Sequence, residues 1–128
     1  MAFNILIVDD SAVTRAMIRR TLLMAQVPVA NCYEAADGAA GLEVLNAHQV
    51  DLVLADLHMP NMGGVEMTQH ILADDAKRHV PVVVVSAEPS TQRLEALKKQ
   101  GVRGCIRKPF TPEAIREMVN QVLGVANG

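Results

Sequence analysis

Aromatic residues are nearly missing from this chain: among 128 positions only Phe3, Tyr33 and Phe110 carry an aromatic ring, and there is no tryptophan. Its core must therefore be aliphatic, filled out by the seven methionines, and a flavin site is disfavoured. Cysteine is as scarce. Cys32 and Cys105 suit a reducing compartment better than a disulfide scaffold, and with His48, His58, His70 and His79 they show no metal-ligand spacing, which disfavours zinc. No charge of one sign prevails. A formal net charge of −2 gives no reason to expect direct DNA binding or an anionic membrane as partner. No apolar run approaches the ~20 residues of a membrane span, and the N-terminus runs into a strand without a signal segment. The expectation is a cytoplasmic protein without membrane insertion. Nucleotide binding by a P-loop or a Gly-x-Gly turn is excluded by Asp9-Asp10-Ser11, which stand where such a turn would follow the first strand.

What is there is an alternation of strand and helix signals, repeated five times. Strands are expected near Asn4 to Val8, Val29 to Glu34, Asp51 to Ala55, from Pro81 through Val82-Val83-Val84-Val85, and around Gly104 to Ile106. Between them lie helical patterns: Ala12 to Ala25, with a stripe of Met17, Ile18, Leu22 and Ala25; a second seated by Leu42 and Leu45 and closed near His48; a third marked by Val65, Thr68, Ile71 and Leu72; and a fourth marked by Leu94 and Leu97 and stopped by Gly101. Thr111-Pro112 starts the last, an N-cap followed by proline at the first helical position, and Ile115, Met118, Val119 and Val122 supply its buried stripe. Short Val/Ile/Leu runs read as parallel strands buried on both faces. Strict alternation with right-handed crossovers implies an α/β fold, a doubly wound parallel sheet. The length fits one domain, 1–128, that buries roughly two thirds of its unfolded surface. The chain stops about a turn after the last helix, so no output domain is expected.

Four of the five apolar runs end in residues that can handle phosphate: Asp9-Asp10, Asp56, Ser86, and Lys108-Pro109. In open α/β sheets the ligand crevice lies beyond the carboxyl ends of the strands, so these groups are delivered to one sheet edge. Two like charges 4 Å apart repel by roughly 4 kcal/mol at an effective dielectric near 20. Three carboxylates there call for a cation, and an oxygen-only donor set points to Mg²⁺. Asp56 is the candidate nucleophile, able to form an acyl phosphate. Lys108 and the Ser86 hydroxyl are candidates to bind the transferred phosphoryl oxygens. Taken singly, each residue has an ordinary role open to it: helix cap, turn, loop hydroxyl or solvated lysine. Their ordered occurrence at four strand ends favours the site.

Asp9-Asp10, Asp56-Leu57-His58-Met59-Pro60, Ser86-Ala87 and Lys108-Pro109-Phe110 together resemble the bacterial response-regulator receiver family, chemotaxis CheY-like proteins in particular, across essentially the whole chain. The resemblance implies a flavodoxin-like fold with strand order 2-1-3-4-5 and five helices. It implies a stand-alone receiver in two-component signal transduction, in which Asp56 takes phosphate from a sensor histidine kinase. Mg²⁺ would be held by Asp10 and Asp56, by the backbone carbonyl of His58, and by Asp9 mainly through water. Lys108-Pro109 would be a cis bond. His58 and Glu88 would flank the phosphoryl group, and a downstream protein would dock on the face made by the fourth helix, fifth strand and fifth helix, with Arg93, Lys99, Arg103, Glu113 and Arg116.

One position departs from that pattern. Where the family carries an aromatic residue three places before the lysine, this chain has Cys105. A small thiol cannot reshape the surface of the last strand as an aromatic rotamer does, so the signal is expected to pass through the loop after Ser86 and the fourth helix. Two further roles are a phosphorelay carrier, passing phosphate to a histidine phosphotransfer protein, and a phosphate-independent interaction module. A phosphatase acting through an aspartyl phosphate usually needs a second acid two residues past the nucleophile, where this chain has His58. The chain is therefore expected to be no enzyme beyond its own phosphorylation and dephosphorylation.

Overall fold

The computed structural model describes residues 2–87 and 91–124. Strands and helices alternate throughout: β1 (Phe3–Val8), α1 (Ala12–Met24), β2 (Val29–Ala35), α2 (Gly38–Ala47), β3 (Leu52–Asp56), α3 (Gly64–Ala73), β4 (Val82–Ser86), α4 (Thr91–Lys99), β5 (Gly104–Arg107) and α5 (Pro112–Leu123). All pairings are parallel, in the order β2-β1-β3-β4-β5. This is the doubly wound, flavodoxin-like sheet expected from the alternation and the resemblance.

The period-two geometry of a strand sends successive side chains to opposite faces, and both faces here are covered. Ile5, Ile7, Leu52, Leu54, Val83 and Val85 pack with Ile18 and Leu22 of α1 and Ile115 and Val119 of α5. Leu6, Val8, Val53, Ala55 and Val82 pack on the other side with Leu45 of α2 and Met67 and Ile71 of α3. Val84 joins Leu97 of α4 in a smaller cluster. Burial on both sides is why the central strands read as unbroken apolar runs.

Side-chain caps fix where helices begin. The Ser11 hydroxyl accepts from the Thr14 N–H at 3.2 Å, Asp37 from Ala40 at 2.8 Å, and Thr111 from Ala114 at 3.1 Å, each satisfying an otherwise orphaned donor. Gly124 ends α5 at φ 66°, the left-handed conformation that glycine adopts most easily. Two helix positions differ from expectation. Met17 is 57% exposed, because the buried stripe of α1 runs through Ile18, Leu22 and Ala25, and Met17 stands about 100° around the helix from Ile18. Leu72 sits at the rim of α3 and is also exposed. Cys32 and Cys105 are free thiols on β2 and β5, the two edges of the sheet.

Register aligns the carboxyl ends of the strands. Val8 pairs with Ala55, Asp56 with Val85, and Ser86 with Arg107, so Asp9 and Lys108, each one residue past its strand, flank Asp56 and Ser86. The loop after β3 is drawn back on itself. The Gly64 N–H donates to the Leu57 carbonyl at 3.2 Å, the Gly38 N–H to Met62 at 2.9 Å, and the Asn61 amide to Asp37 at 2.9 Å. Asn61 takes a positive φ of 65°, which asparagine tolerates better than most residues. A Cβ on Gly64 would stand 2.6 Å from the Asp56 carbonyl oxygen, so only glycine lets α3 start this close to the strand end. Gly64→Ala is expected to cost roughly 2 kcal/mol, measured as a lower urea midpoint with an unchanged m-value.

Candidate functional site

Asp9, Asp10 and Asp56 meet at the carboxyl edge of the sheet, each offering a carboxylate oxygen within 4.8 Å of the others. Their burial differs. Asp9 is 1% exposed, Asp56 is half-buried and Asp10 is open to solvent. Such a graded set, with its innermost carboxylate fixed and its outermost free, suits a hard cation that keeps part of its water shell.

Asp9 is anchored on every side. Its Oδ1 accepts the Ser11 N–H at 2.8 Å, its Oδ2 faces Lys108 Nζ at 3.3 Å, its backbone N–H donates to Ala35 at 3.0 Å, and its carbonyl accepts from the Arg15 guanidinium. These contacts compensate a carboxylate that would otherwise be costly to bury. Lys108 Nζ also lies 3.7 Å from Asp56 Oδ2, so one ammonium spans two of the three acids. Asp56 Oδ1 accepts the N–H of Leu57 at 2.8 Å. Lys108-Pro109 is a cis bond, and the Lys108 N–H donates to the Ser86 carbonyl at 2.9 Å. Ser86 itself is buried, at the end of β4.

Burial is the main force that raises the Asp56 carboxyl above its ordinary range. The ammonium of Lys108 opposes it, the charge of Asp9 adds to it, the Leu57 N–H opposes, and Asp10 adds a last smaller push. A carboxylate made more basic is a better nucleophile toward phosphorus.

His58 stands beside this cleft with its side chain exposed, while Glu88 lies outside the described residues. Cys105 is half-buried beside the cluster of Leu57, Val84, Leu97 and Val102, and burial pushes its thiol up, away from the reactive thiolate. On the α4-β5-α5 side, the Arg116 Nε donates to the Ala25 carbonyl at 2.8 Å. Its guanidinium is thus engaged at the end of α1 instead of projecting freely from that face. Residue-type reasoning missed Arg15 and Glu34, which the fold joins at 3.0 Å, with Arg15 also donating to the Asp9 carbonyl.

Residues 5–120 match the family described as response regulator receiver domain. The chemotaxis protein CheY of Pseudomonas aeruginosa is 32% identical over 125 residues, covering 98% of this chain and 99% of that protein. Chemotaxis protein CheY-3 of Vibrio cholerae is 33% identical over 119 residues, 93% and 90% of the two chains. Among solved structures, the chemotaxis response regulator CheY4 of Vibrio cholerae superposes with a TM-score of 0.84 at 28% identity, covering 96% of this chain and 100% of that one.

The raised Asp56 carboxyl has a consequence for stability. The folded protein holds that proton more tightly than the unfolded chain does, so the stabilisation is fully present below about pH 3.9 and is lost as pH rises through the folded-state value. At neutral pH the ionised group is a burden that a neutral isostere lacks. In metal-free buffer Asp56→Asn should therefore be the more stable protein at pH 7, and the gap to wild type should shrink toward pH 4. Denaturant melts of both proteins across that range check it.

Proposed function

The chain belongs to the response regulator receiver domain family, and we propose that it works as a stand-alone receiver in two-component signalling, phosphorylated on Asp56 by a sensor histidine kinase and thereby switched in its binding to a partner protein. The observation that carries this is the convergence of three carboxylates with one bridging lysine at the carboxyl edge of the sheet.

The donor set fits a divalent cation: Asp9, Asp10 and Asp56 would supply hard oxygens, among the described residues no sulfur or imidazole joins that cluster, and the His58 carbonyl would be a further ligand. Mg²⁺ bound there supplies the positive charge that offsets the acids and the incoming phosphoryl oxygens. The remaining work falls to the protein's own groups. A carboxylate oxygen of Asp56 attacks phosphorus, the new O–P bond forms as the P–N bond of phosphohistidine breaks, and the imidazole nitrogen leaves with the bonding pair and is protonated. Lys108, already 3.7 Å from Asp56 Oδ2, turns to the transferred phosphoryl oxygens, and the Ser86 hydroxyl donates to another. Water later hydrolyses the acyl phosphate. No small molecule is turned over, so the protein is no enzyme apart from this self-catalysed cycle.

Phosphorylation adds close to two negative charges and strong acceptor oxygens beside Ser86 and Lys108, enough to bias a two-state surface. The partner docks on the face of α4, β5 and α5, through Arg93, Lys99, Arg103 and Glu113, with Arg116 at its border. Because Cys105 is too small to act as a rotating aromatic, the change travels from Ser86 through the segment after β4 into α4, whose Leu97 packs in the same cluster as Val84 of β4. No described helix is long and apolar enough to cross a membrane; the cytoplasmic location belongs to the proposed role as acceptor from such a kinase.

Incubation with acetyl phosphate and Mg²⁺ should add one phosphoryl group to the intact mass of the wild type and none to Asp56→Ala. Omitting Mg²⁺ should suppress the adduct. An unmodified wild type would favour a phosphate-independent interaction module.

A further inference from the structure

Arg15 lies outside the acidic trio, on the first turns of α1, and its contacts form a clamp. Its guanidinium donates to the backbone carbonyl of Asp9 and, through Nε, to Glu34 Oε1 at 3.0 Å. Glu34 is held from its other oxygen by Arg19 at 2.7 Å. Arg19 in turn reaches the Cys32 carbonyl at 3.3 Å. Glu34 sits on β2, next to Ala35, whose carbonyl accepts the Asp9 N–H at 3.0 Å. Both polar groups of the Asp9 backbone are thus tied, one to β2 directly and the other through Arg15 and Glu34. The Arg15 side chain is only 17% exposed, while Glu34 on its outer side is 31% exposed, so the guanidinium is largely covered where it meets the Asp9 carbonyl.

The carbonyl that Arg15 grips belongs to the peptide joining Asp9 to Asp10. Fixing that plane fixes the direction in which Asp10 leaves the strand, and Asp10 is the exposed member of the trio. We infer that Arg15, braced by Glu34, is a positioning residue that holds the Asp9–Asp10 peptide in the orientation the acidic trio needs to bind a divalent cation. The inference rests on the proposed Mg²⁺ site and adds to it a part of the molecule that touches neither the cation nor the phosphoryl group. A guanidinium suits the task because its planar fork can serve two acceptors at once, which a lysine ammonium on a flexible stem does less well.

Charge and position predict opposite signs, which makes the role separable. Removing a cation from the neighbourhood of three carboxylates should tighten Mg²⁺ binding if Arg15 acts only through its field. Losing the clamp should weaken it, by roughly tenfold, as for supporting groups behind metal ligands. Mg²⁺ titration calorimetry on the full chain would compare wild type, Arg15→Ala, Arg15→Lys and Asp10→Ala, with metal-free melting temperatures recorded alongside. Expected is a dissociation constant about tenfold higher in Arg15→Ala and raised by roughly threefold in Arg15→Lys, which keeps the charge and folds even if the alanine variant does not. Adding Glu34→Gln to Arg15→Ala should change nothing more. Wild-type affinity in both Arg15 variants, or tighter binding in Arg15→Ala, would overturn the positioning role, even if melting temperatures fell. Failure of the Mg²⁺ site itself has a different signature: wild type and Asp10→Ala would then titrate alike.

Discussion

Three carboxylates crowded against a single ammonium set the terms for the rest of this molecule. Asp9, Asp10 and Asp56 bring oxygens within 4.8 Å of one another, and Lys108 reaches two of them, at 3.3 and 3.7 Å. At such separations each like-charge pair costs on the order of kilocalories per mole in a partly desolvated cleft. The site is built short of positive charge, and the charges of Asp9 and Asp10 add to the burial that chiefly raises the Asp56 carboxyl. A protein can hold such a grouping only if the scaffold beneath it is stiff. Here the carboxylates stand on the ends of β1 and β3, whose residues Ile5 to Val8 and Leu52 to Ala55 are all fully buried.

The same constraint explains the tightness of the surroundings. Gly64 lets α3 begin against the Asp56 carbonyl, Asp37 and Asn61 tie the loop after β3 to α2, and the Arg15–Glu34 pair ties Asp9 to β2. Each is a polar or steric device applied to backbone beside the acids. The aliphatic core supplies cohesion without polar alternatives, and strain from the acids is confined to one edge of the sheet. The proposed switch would need only the charge balance at that edge to change, with the buried sheet passing a local rearrangement outward to helices that sit less deeply.

Much of this was legible in the chain itself. Runs such as Val82-Val83-Val84-Val85, alternating with helical patterns, are the mark of parallel strands covered on both faces, and the topology rule brings the residues closing them to one sheet edge. Thr111-Pro112 marked its helix start to the residue. Legibility failed where a side chain's fate depends on a neighbour distant in sequence. Met17 matched the apolar pattern of α1, but which of two adjacent apolar positions faces the sheet is settled by packing against β1 and α5. Arg116 read as part of an open face until the fold set it against the Ala25 carbonyl. Arg15 and Glu34, nineteen positions apart, look like solvated charges in sequence because nothing local marks their meeting under Asp9.

Fluorine NMR with beryllofluoride, a phosphoryl mimic, tests the central claim most directly, because it asks for cation and nucleophile at once. A bound fluorine resonance should arise for the wild type only with Mg²⁺ present, and should be missing from Asp56→Asn under the same conditions. A bound resonance that ignores either Mg²⁺ or the loss of Asp56 would contradict the account.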